Sequence, residues 1–408
     1  MATTTTTPAP AAPVATEPTT TDARKAVEAA ERATAFAAEV RTATAKQEEN
    51  LTSRGLREVP NLPATGGATG LAQFDAYRKG SLAPWWLHEG VCKAWAFDPF
   101  GTQIRLITVS ENATYAIYQD DEPFGVLRVS QPGYVGGPDA VESEMAWLSA
   151  LHEVEGVNVV DDIPTASGSA VTTIADEAGT QWACVVTSFV EGAVLENLED
   201  PSAFYRTIGR WTALFHRHSR SWRKPEGFKR FTWDIPDMIG RTPRWGRWED
   251  RELTDEEYGL FKKAEDAALD VIACMPRTNE TWGLIHADLR PSNIIAADDG
   301  TLTIIDFDDS GYSYFLYDFA AALSFVEHEP YAPAMAKAWI AGYQEIEPLS
   351  DQDLQCACAL SMIRRLQMVG WTTNHYADAL PDGLYDAQVP GTVTVARNYL
   401  RNPLWLLS

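Results

Sequence analysis

Three polar side chains stand out by type and spacing. In WGLIHADLRPSNIIAADDGTLTIIDFDDS, residues 282–310, Asp288 lies two residues after His286 and five before Asn293, and Asp306 lies thirteen beyond Asn293. A carboxylate, an amide and a second carboxylate in this order suit phosphoryl transfer. That chemistry needs one carboxylate to orient and deprotonate an attacking hydroxyl. It also needs an amide oxygen and another carboxylate to hold Mg2+ against nucleotide phosphates. On this reading Asp288 is the base, and Asn293 and Asp306 are the metal ligands. A bare His-x-Asp-x4-Asn arises often by chance, so its weight depends on the elements around it.

Those elements must bring the three groups to one place. NIIAADDGTLTIID reads as a hairpin closed at Asp299-Gly300, which delivers Asp306 at the end of its second strand, beside the loop of Asp288 and Asn293. Both strands are too apolar to place these polar groups in a core by accident. Upstream, IRLITVS from Ile104, TYAIYQD from Thr114 and FGVLRVS from Phe124 read as strands, with turns at Glu111-Asn112-Ala113 and at Asp120 to Pro123. GGPDAVESEMAWLSALHE reads as a helix. Asp139 and Glu142 have capping-box spacing, and Val141, Met145, Leu148 and Leu151 recur at helical period. WACVVTSF is a further strand, ending at Val190-Glu191-Gly192. Beyond it the pattern is mainly helical, broken by a Trp-rich loop from Ser221 to about Trp248 and by the short strands GLIH and LTIID. No internal repeat is visible. The expected outline is a small β-rich lobe, residues 71–192, followed by a larger helical lobe, residues 193–408.

His286-Ala287-Asp288-Leu289-Arg290-Pro291-Ser292-Asn293, followed by Ile305-Asp306-Phe307-Asp308-Asp309, resembles the aminoglycoside phosphotransferase and choline kinase superfamily of protein-kinase-like enzymes. GYSYFLYDFAAALSF and ALSMIRRLQMVGWTTNHY resemble its homoserine-kinase-type and stress-response-kinase-type branch. The resemblance runs from about residue 100 to the C-terminus. It implies an α+β, bilobal protein-kinase-like fold: a small antiparallel β N-lobe with one helix, and a larger, mainly helical C-lobe. It also implies ATP as phosphoryl donor, Mg2+, and His286 as a support of the catalytic loop. Asp318 matches a family aspartate that reads better as structural than as a ligand.

Against that expectation the first lobe can be read residue by residue. Arg128, in GVLRV, stands where kinase-like folds put a lysine that clamps the α- and β-phosphates. An arginine there is common in the resembled branch, and a guanidinium stays charged and binds phosphate oxygens in pairs. Glu144 on the capped helix is the natural ion-pair partner to aim it. The plainer alternative is a surface arginine on an edge strand and a solvated helical glutamate. Ser110-Glu111-Asn112-Ala113 occupies the place of the phosphate-covering turn. It lacks G-x-G-x-x-G, but backbone N–H groups can cradle phosphate without glycine, and Asn112 tolerates a left-handed turn conformation. Adenine is expected at Thr187-Ser188-Phe189-Val190-Glu191-Gly192, through backbone groups, with Phe189 equally readable as core.

The acceptor is less legible. Trp222, Trp233, Trp245, Trp248 and Trp371, near carboxylates such as Asp234 and Asp309, could hold an ammonium, although packing of large rings is the commoner use. Arg364 and Arg365 could bind a substrate carboxylate or form a surface face. Trp371, Asn374 and His375 follow their helix. The expected acceptor is a small, amine-bearing hydroxyl compound: an amino alcohol, a homoserine-like amino acid or an amino sugar. A protein Ser/Thr acceptor is the runner-up, disfavoured by the lack of a long segment ending in Ala-Pro-Glu after Asp306. A non-catalytic nucleotide-binding regulator comes third.

Composition sets the remaining bounds. The 408 residues carry 33 basic and 57 acidic side chains, a net charge of −24, with 45% hydrophobic and 22% charged residues. That balance gives enough apolar mass for two or three compact units and repels phosphate backbones and anionic lipid, so nucleic acid and membrane are not the expected partners. It fixes no oligomeric state. Cys92, Cys184, Cys274, Cys356 and Cys358 are too few and scattered for a disulfide framework, and Cys356-Ala-Cys358 reads as buried thiols on a helix. His216 and His218 read as a helix end without a third metal ligand. Residues 1 to about 21 are Thr, Pro and Ala, expected to be disordered. From Asp22 to about Asn50 the composition favours a helix with a thin stripe of Val27, Phe36 and Val40, a solvated helix or a docking arm. Together these make residues 1–60 a tail. Pro60 to Gly70 reads as a linker. The first residues carry neither a basic nor an apolar signal region, so a reducing cytoplasm is expected.

Overall fold

The computed structural model describes residues 31–32, 34–39, 41–42, 79–133, 136–374, 380 and 383–408. The expected linker, the start of the folded body at residue 71, His375 and most of the tail lie outside the described residues. The described part of the tail is helical. Its Phe36 ring lies 5.9 Å from Phe204, and Arg41 pairs with Asp298 at 2.9 Å.

The upper lobe is one antiparallel sheet. Its strands are β1 (Thr102–Val109), β2 (Asn112–Gln119), β3 (Glu122–Ser130), β4 (Thr172–Ala175) and β5 (Gln181–Ser188), in the order β1-β2-β3-β5-β4. Strand period two sends Leu127 and Val129 to one face and Arg128 to the other. On the first face lies helix α1 (Trp85–Trp95), whose Trp86, Leu87, Val91 and Trp95 pack with Tyr115, Ile117 and Trp182. The sequence led to one helix in this lobe, but α1 makes a second. Its apolar spacing after Pro84 was a helix signal in plain sight. The helix that was expected, α2 (Pro138–Leu151), buries Val141, Met145, Leu148 and Leu151 in the core shared with the lower lobe. Its capping box does not form. The N-cap is Gly137, with Pro138 fixing the first turn, so Asp139 already lies inside the helix and pairs with Lys229 at 2.7 Å instead.

The chain passes to the lower lobe after β5. Its first elements are β6 (Ala193–Val194), α3 (Tyr205–Ser221), α4 (Ile235–Ile239) and α5 (Asp255–Ala273). There follow β7 (Trp282–Ile285), β8 (Ile294–Ala296), β9 (Leu302–Ile304) and β10 (Gly311–Tyr314), then α6 (Tyr317–Ala322), α7 (Ala332–Tyr343), α8 (Asp351–Asn374) and α9 (Leu384–Arg401). β8 and β9 form the expected hairpin. Its turn is closed by Ala297 N–H to Thr301 O at 2.8 Å, with Gly300 at φ +89° where a side chain would be strained. Helices α3 and α7 cross so closely that a Cβ on Gly209 or Gly342 would strike the carbonyl of Trp339 or Arg206. Between the lobes Trp147 of α2 is fully buried, its ring 5.9 Å from both Phe215 and Phe307. Truncating such a ring typically costs about 3–5 kcal/mol, so α2 is anchored downward as well as to its own sheet. The Cys356 and Cys358 thiols are buried on α8, and burial pushes both up to about 12. Among the described residues no helix is long and apolar enough to cross a membrane.

Candidate active site

The loop 286–293 hangs from a buried carboxylate. Asp318, in the first turn of α6, accepts the N–H of His286 at 3.2 Å on one oxygen and that of Ala287 at 2.6 Å on the other. His216 on α3 adds its Nε2 at 2.9 Å and takes Tyr343 OH on Nδ1, also at 2.9 Å. Ala287 can then sit at φ +67°, a strained value that a turn fixed from below can hold. His286 points inward, its ring stacked on Phe215 and tilted against Phe307. Burial lowers its pKa, and its Nδ1 takes the N–H of Asp288 at 3.3 Å. It therefore meets the loop rather than the cleft.

Asp288 faces the cleft with its side chain 18% exposed. Arg364 Nη2 donates to Oδ1 at 3.0 Å, while Asn293 Nδ2 and Arg290 Nε donate to Oδ2 at 2.8 and 3.3 Å. Asn293 Nδ2 also reaches the Asp288 carbonyl at 2.9 Å, which turns its own Oδ1 outward. The hairpin brings Asp306 alongside: Ile305 N–H donates to the Asn293 carbonyl at 2.9 Å. Asp306 stands at φ +62° with its side chain 44% exposed. Asp288, Asn293 and Asp306 thus meet in one place.

From above, Arg128 pairs with Glu144 through two N–H groups, at 2.7 and 2.8 Å, and reaches to 3.8 Å from Asp306. Burial disfavours its charge, but Glu144 more than offsets this and holds the guanidinium above its ordinary value. β3 is a central strand and the Glu144 side chain is 2% exposed, so the surface alternative does not apply. Arg230 was missed. It lies 3.5 Å from Glu144 and donates to the carbonyls of Ala140, Asp308 and Ser310, tying α2 to the segment after Asp306. Nothing local marks it, because its partners lie 78 to 90 residues away.

Other expected positions differ. Asn112 is not left-handed; it opens β2 opposite Ser130, so the ladder extends its backbone. Its Nδ2 donates to Asp308 at 2.6 Å, and its neighbour Glu111 accepts from Trp371 Nε1 at 2.6 Å, so the turn closes on the lower lobe. Ser110 stays exposed beside it. Thr187 is paired within the sheet opposite Val126, and Phe189, 41% exposed, is not core. The Phe189 N–H donates to Phe124 O and that of Ser188 to Asp161 O. Arg364 and Arg365 form no surface face. Arg364 is held by Tyr317 OH at 2.6 Å and Ser324 Oγ at 3.1 Å beneath Asp288, whereas Arg365 turns away to Glu327 at 3.0 Å. Trp233, Trp245 and Trp248 are buried, so they pack. Asp234 caps α4 and pairs with Arg277, which occupies it.

The site fits a divalent cation by its charge. Burial, and after it the neighbouring carboxylates, push Asp308 and Asp309 well above the usual range, and the second of these causes is one that a bound cation would relieve. Among the described residues no cluster of three His, Cys, Asp or Glu could hold a metal. One carboxylate and one amide oxygen, Asp306 and Asn293, leave the remaining positions to water and phosphate, as Mg2+ prefers.

A β lobe over a helical lobe, with a paired arginine facing an aspartate–asparagine–aspartate set, defines a kinase-like phosphotransferase. The chain belongs to the phosphotransferase enzyme family, whose sequence pattern matches residues 103–351. It is 26% identical over 237 residues to the amicoumacin kinase of Bacillus subtilis (strain 168), covering 58% of this chain and 67% of that one. It is 27% identical over 253 residues to the homoserine kinase of Gluconobacter oxydans (strain 621H), covering 58% and 74%. The structure of a microcompartment-associated aminopropanol kinase matches with a TM-score of 0.70 at 32% identity, over 79% of this chain and 99% of that one. A spectinomycin phosphotransferase solved with ADP and spectinomycin shares the fold, with a TM-score of 0.54 at 12% identity over 76% and 96%.

Proposed function

We propose that this enzyme moves the γ-phosphoryl group of ATP, with Mg2+, to a hydroxyl of a small amine-bearing molecule, an amino alcohol or a homoserine-like amino acid first. The observation that carries it is the held but open carboxylate of Asp288, next to Asn293 and Asp306 and beneath Arg128. Asp288 accepts the proton of the acceptor hydroxyl as its oxygen bonds to the γ-phosphorus. The bond from that phosphorus to the bridging oxygen breaks, and ADP leaves. Arg128, aimed by Glu144, binds the donor's phosphate oxygens. Asn293 and Asp306 would hold Mg2+, which when bound neutralises charge on the β- and γ-phosphates. Asp309, a buried carboxylate with Asp288 and Glu111 among its charged neighbours, is our candidate partner for an acceptor ammonium. The names of the relatives support a small acceptor. Only the ten residues 307–316 separate Asp306 from α6, which leaves little room for a protein-docking segment.

The test is ADP release with Mg2+ and ATP across aminopropanol, homoserine, choline, amino sugars and a generic protein, with Asp288→Asn alongside. Stimulation by one small acceptor class, abolished by the variant, is expected. Stimulation by the protein alone, or an unchanged rate in Asp288→Asn, overturns the reading.

A further inference from the structure

Away from Asp288, a cleft of about 670 Å3 opens between α3 and the turn after α2. One wall is the face of α3 that carries Arg210, Leu214, Arg217 and Ser221, positions that helical spacing stacks on one side. Glu155 and Gly156 of the turn face it, and Ile346, beyond α7, adds a second apolar surface. The volume lies within the range of small-molecule sites, roughly 300–1,000 Å3.

Its charge runs against that of the chain. In a protein of net charge −24, this lining sets two guanidiniums against one carboxylate. Arg210 has Glu345 at 3.8 Å, a loose pairing. Arg217 is exposed and pairs with no carboxylate among the described residues. Guanidiniums offer paired N–H donors that match the oxygens of phosphate and carboxylate groups.

The walls also lead to the phosphotransfer site. α3 carries His216, the partner of Asp318, which holds the N–H groups of His286 and Ala287. Trp211 Nε1 donates to Gly156 O at 2.8 Å, fastening the turn to α3. Trp147 Nε1 reaches His218 Nδ1 at 3.4 Å, and Trp147 stands one helical turn from Glu144, which grips Arg128.

We propose that this cleft is a second ligand site, for a small oxyanion bound by Arg210 and Arg217 with its body against Leu214 and Ile346, and that its occupancy alters nucleotide binding at the phosphotransfer site. An anion held on α3 by both arginines bears on the helix that carries His216, the seat of the 286–293 loop, and through His218 and Trp147 on the helix that aims Arg128.

Calorimetric titration of inorganic phosphate, and separately of succinate, into the full chain tests the site. Arg217→Glu reverses an exposed charge without touching the core, Arg210→Gln is the second variant, and Arg128→Gln is the control at the other site. The expected result is saturable binding of at least one anion to wild type and Arg128→Gln alike, weakened at least tenfold by Arg217→Glu. Binding of neither anion, binding indifferent to both α3 arginine variants, or binding lost only in Arg128→Gln overturns the site. The coupling is read in the KM for ATP: the anion shifts it in wild type and not in Arg217→Glu. An unchanged KM in wild type overturns that half.

Discussion

Arg128 and Arg364 reach the same cleft from opposite lobes, and the lobes hold them differently. Arg364 is held at all three of its guanidinium nitrogens, by Asp288, Tyr317 and Ser324, with its guanidinium 4.8 Å over the Trp245 ring. Arg128 rests on Glu144, with Arg230 crowding the far oxygen, and keeps one edge near Asp306. The lower lobe thus builds one position redundantly, where a proton must be taken at a set place. The upper lobe holds a charge on one ion pair, which suits a group that follows a nucleotide as it enters. A second contrast lies within two residues. Arg364 serves the cleft, while Arg365 closes a fully buried pair with Glu327 and bonds Thr392 and the Gln388 carbonyl of α9.

The largest effect should come from the redundant side. Asp288→Asn keeps the volume and one of the two accepting oxygens but loses the base, and kcat should fall roughly 10²–10⁴-fold. ATP-induced stabilisation in thermal melts should persist. Loss of ATP binding together with kcat would show that Asp288 also shapes the nucleotide site, and the contrast between lobes would fail.

Arg365→Met should act on stability instead. It strands Glu327 without its cation, and breaking such a buried pair costs roughly 3–5 kcal/mol, read in denaturant unfolding. Among molecules still folded, kcat should stay near wild type. Arg364→Met should do the reverse in kind, lowering kcat because Asp288 loses the donor on Oδ1. Equal effects of the two variants on kcat would mean that α8 acts on the site as a whole and not through Arg364.

Glu144→Gln weakens the single support of Arg128. A charge-assisted pair becomes a neutral hydrogen bond, a loss of about 1.5 kcal/mol, which predicts a KM for ATP raised about tenfold with a smaller change in kcat. Initial rates at varied ATP separate the two. A kcat loss as large as that of Asp288→Asn would place Arg128 in the chemical step.

What the sequence revealed follows the same division. Asp288, Asn293 and Asp306 lie within one loop and one hairpin, so local turn chemistry and strand pattern carry them together. Arg128 and Glu144 sit sixteen residues apart, across a strand-to-helix step whose periodicity is readable. Arg364 meets Asp288 across 76 residues and His216 meets Asp318 across 102, distances over which no period or cap speaks. Arg364 was therefore noticed as a charge and left between an acceptor carboxylate and a surface face, while His216 was set aside as a helix end. Asn112 failed for a different reason. Its type allowed a left-handed turn, but pairing with β3 decided its backbone.

The smallest effect tests the seat of the lower lobe. Burial lowers the pKa of His216, opposed by Asp318 and Glu347 and reinforced by Arg220. Neutral His216 donates from Nε2 to Asp318 and accepts Tyr343 OH on Nδ1. A histidine with a depressed folded pKa binds its proton more readily when unfolded. Its contribution to stability is present above its unfolded value of about 6.5 and is lost as pH falls through the folded one. His286, also lowered by burial, has the same sign, whereas Glu327, raised by burial, has the opposite. The total profile mixes these signs, so the informative quantity is the gap in Tm between wild type and His216→Gln. That gap should narrow as pH falls from about 7.5 to about 5.5. A gap that widens toward acid would mean that His216 holds Asp318 as an imidazolium. The lower lobe would then share with Arg128 a dependence on one charge, and the contrast between the lobes would shrink to one of burial.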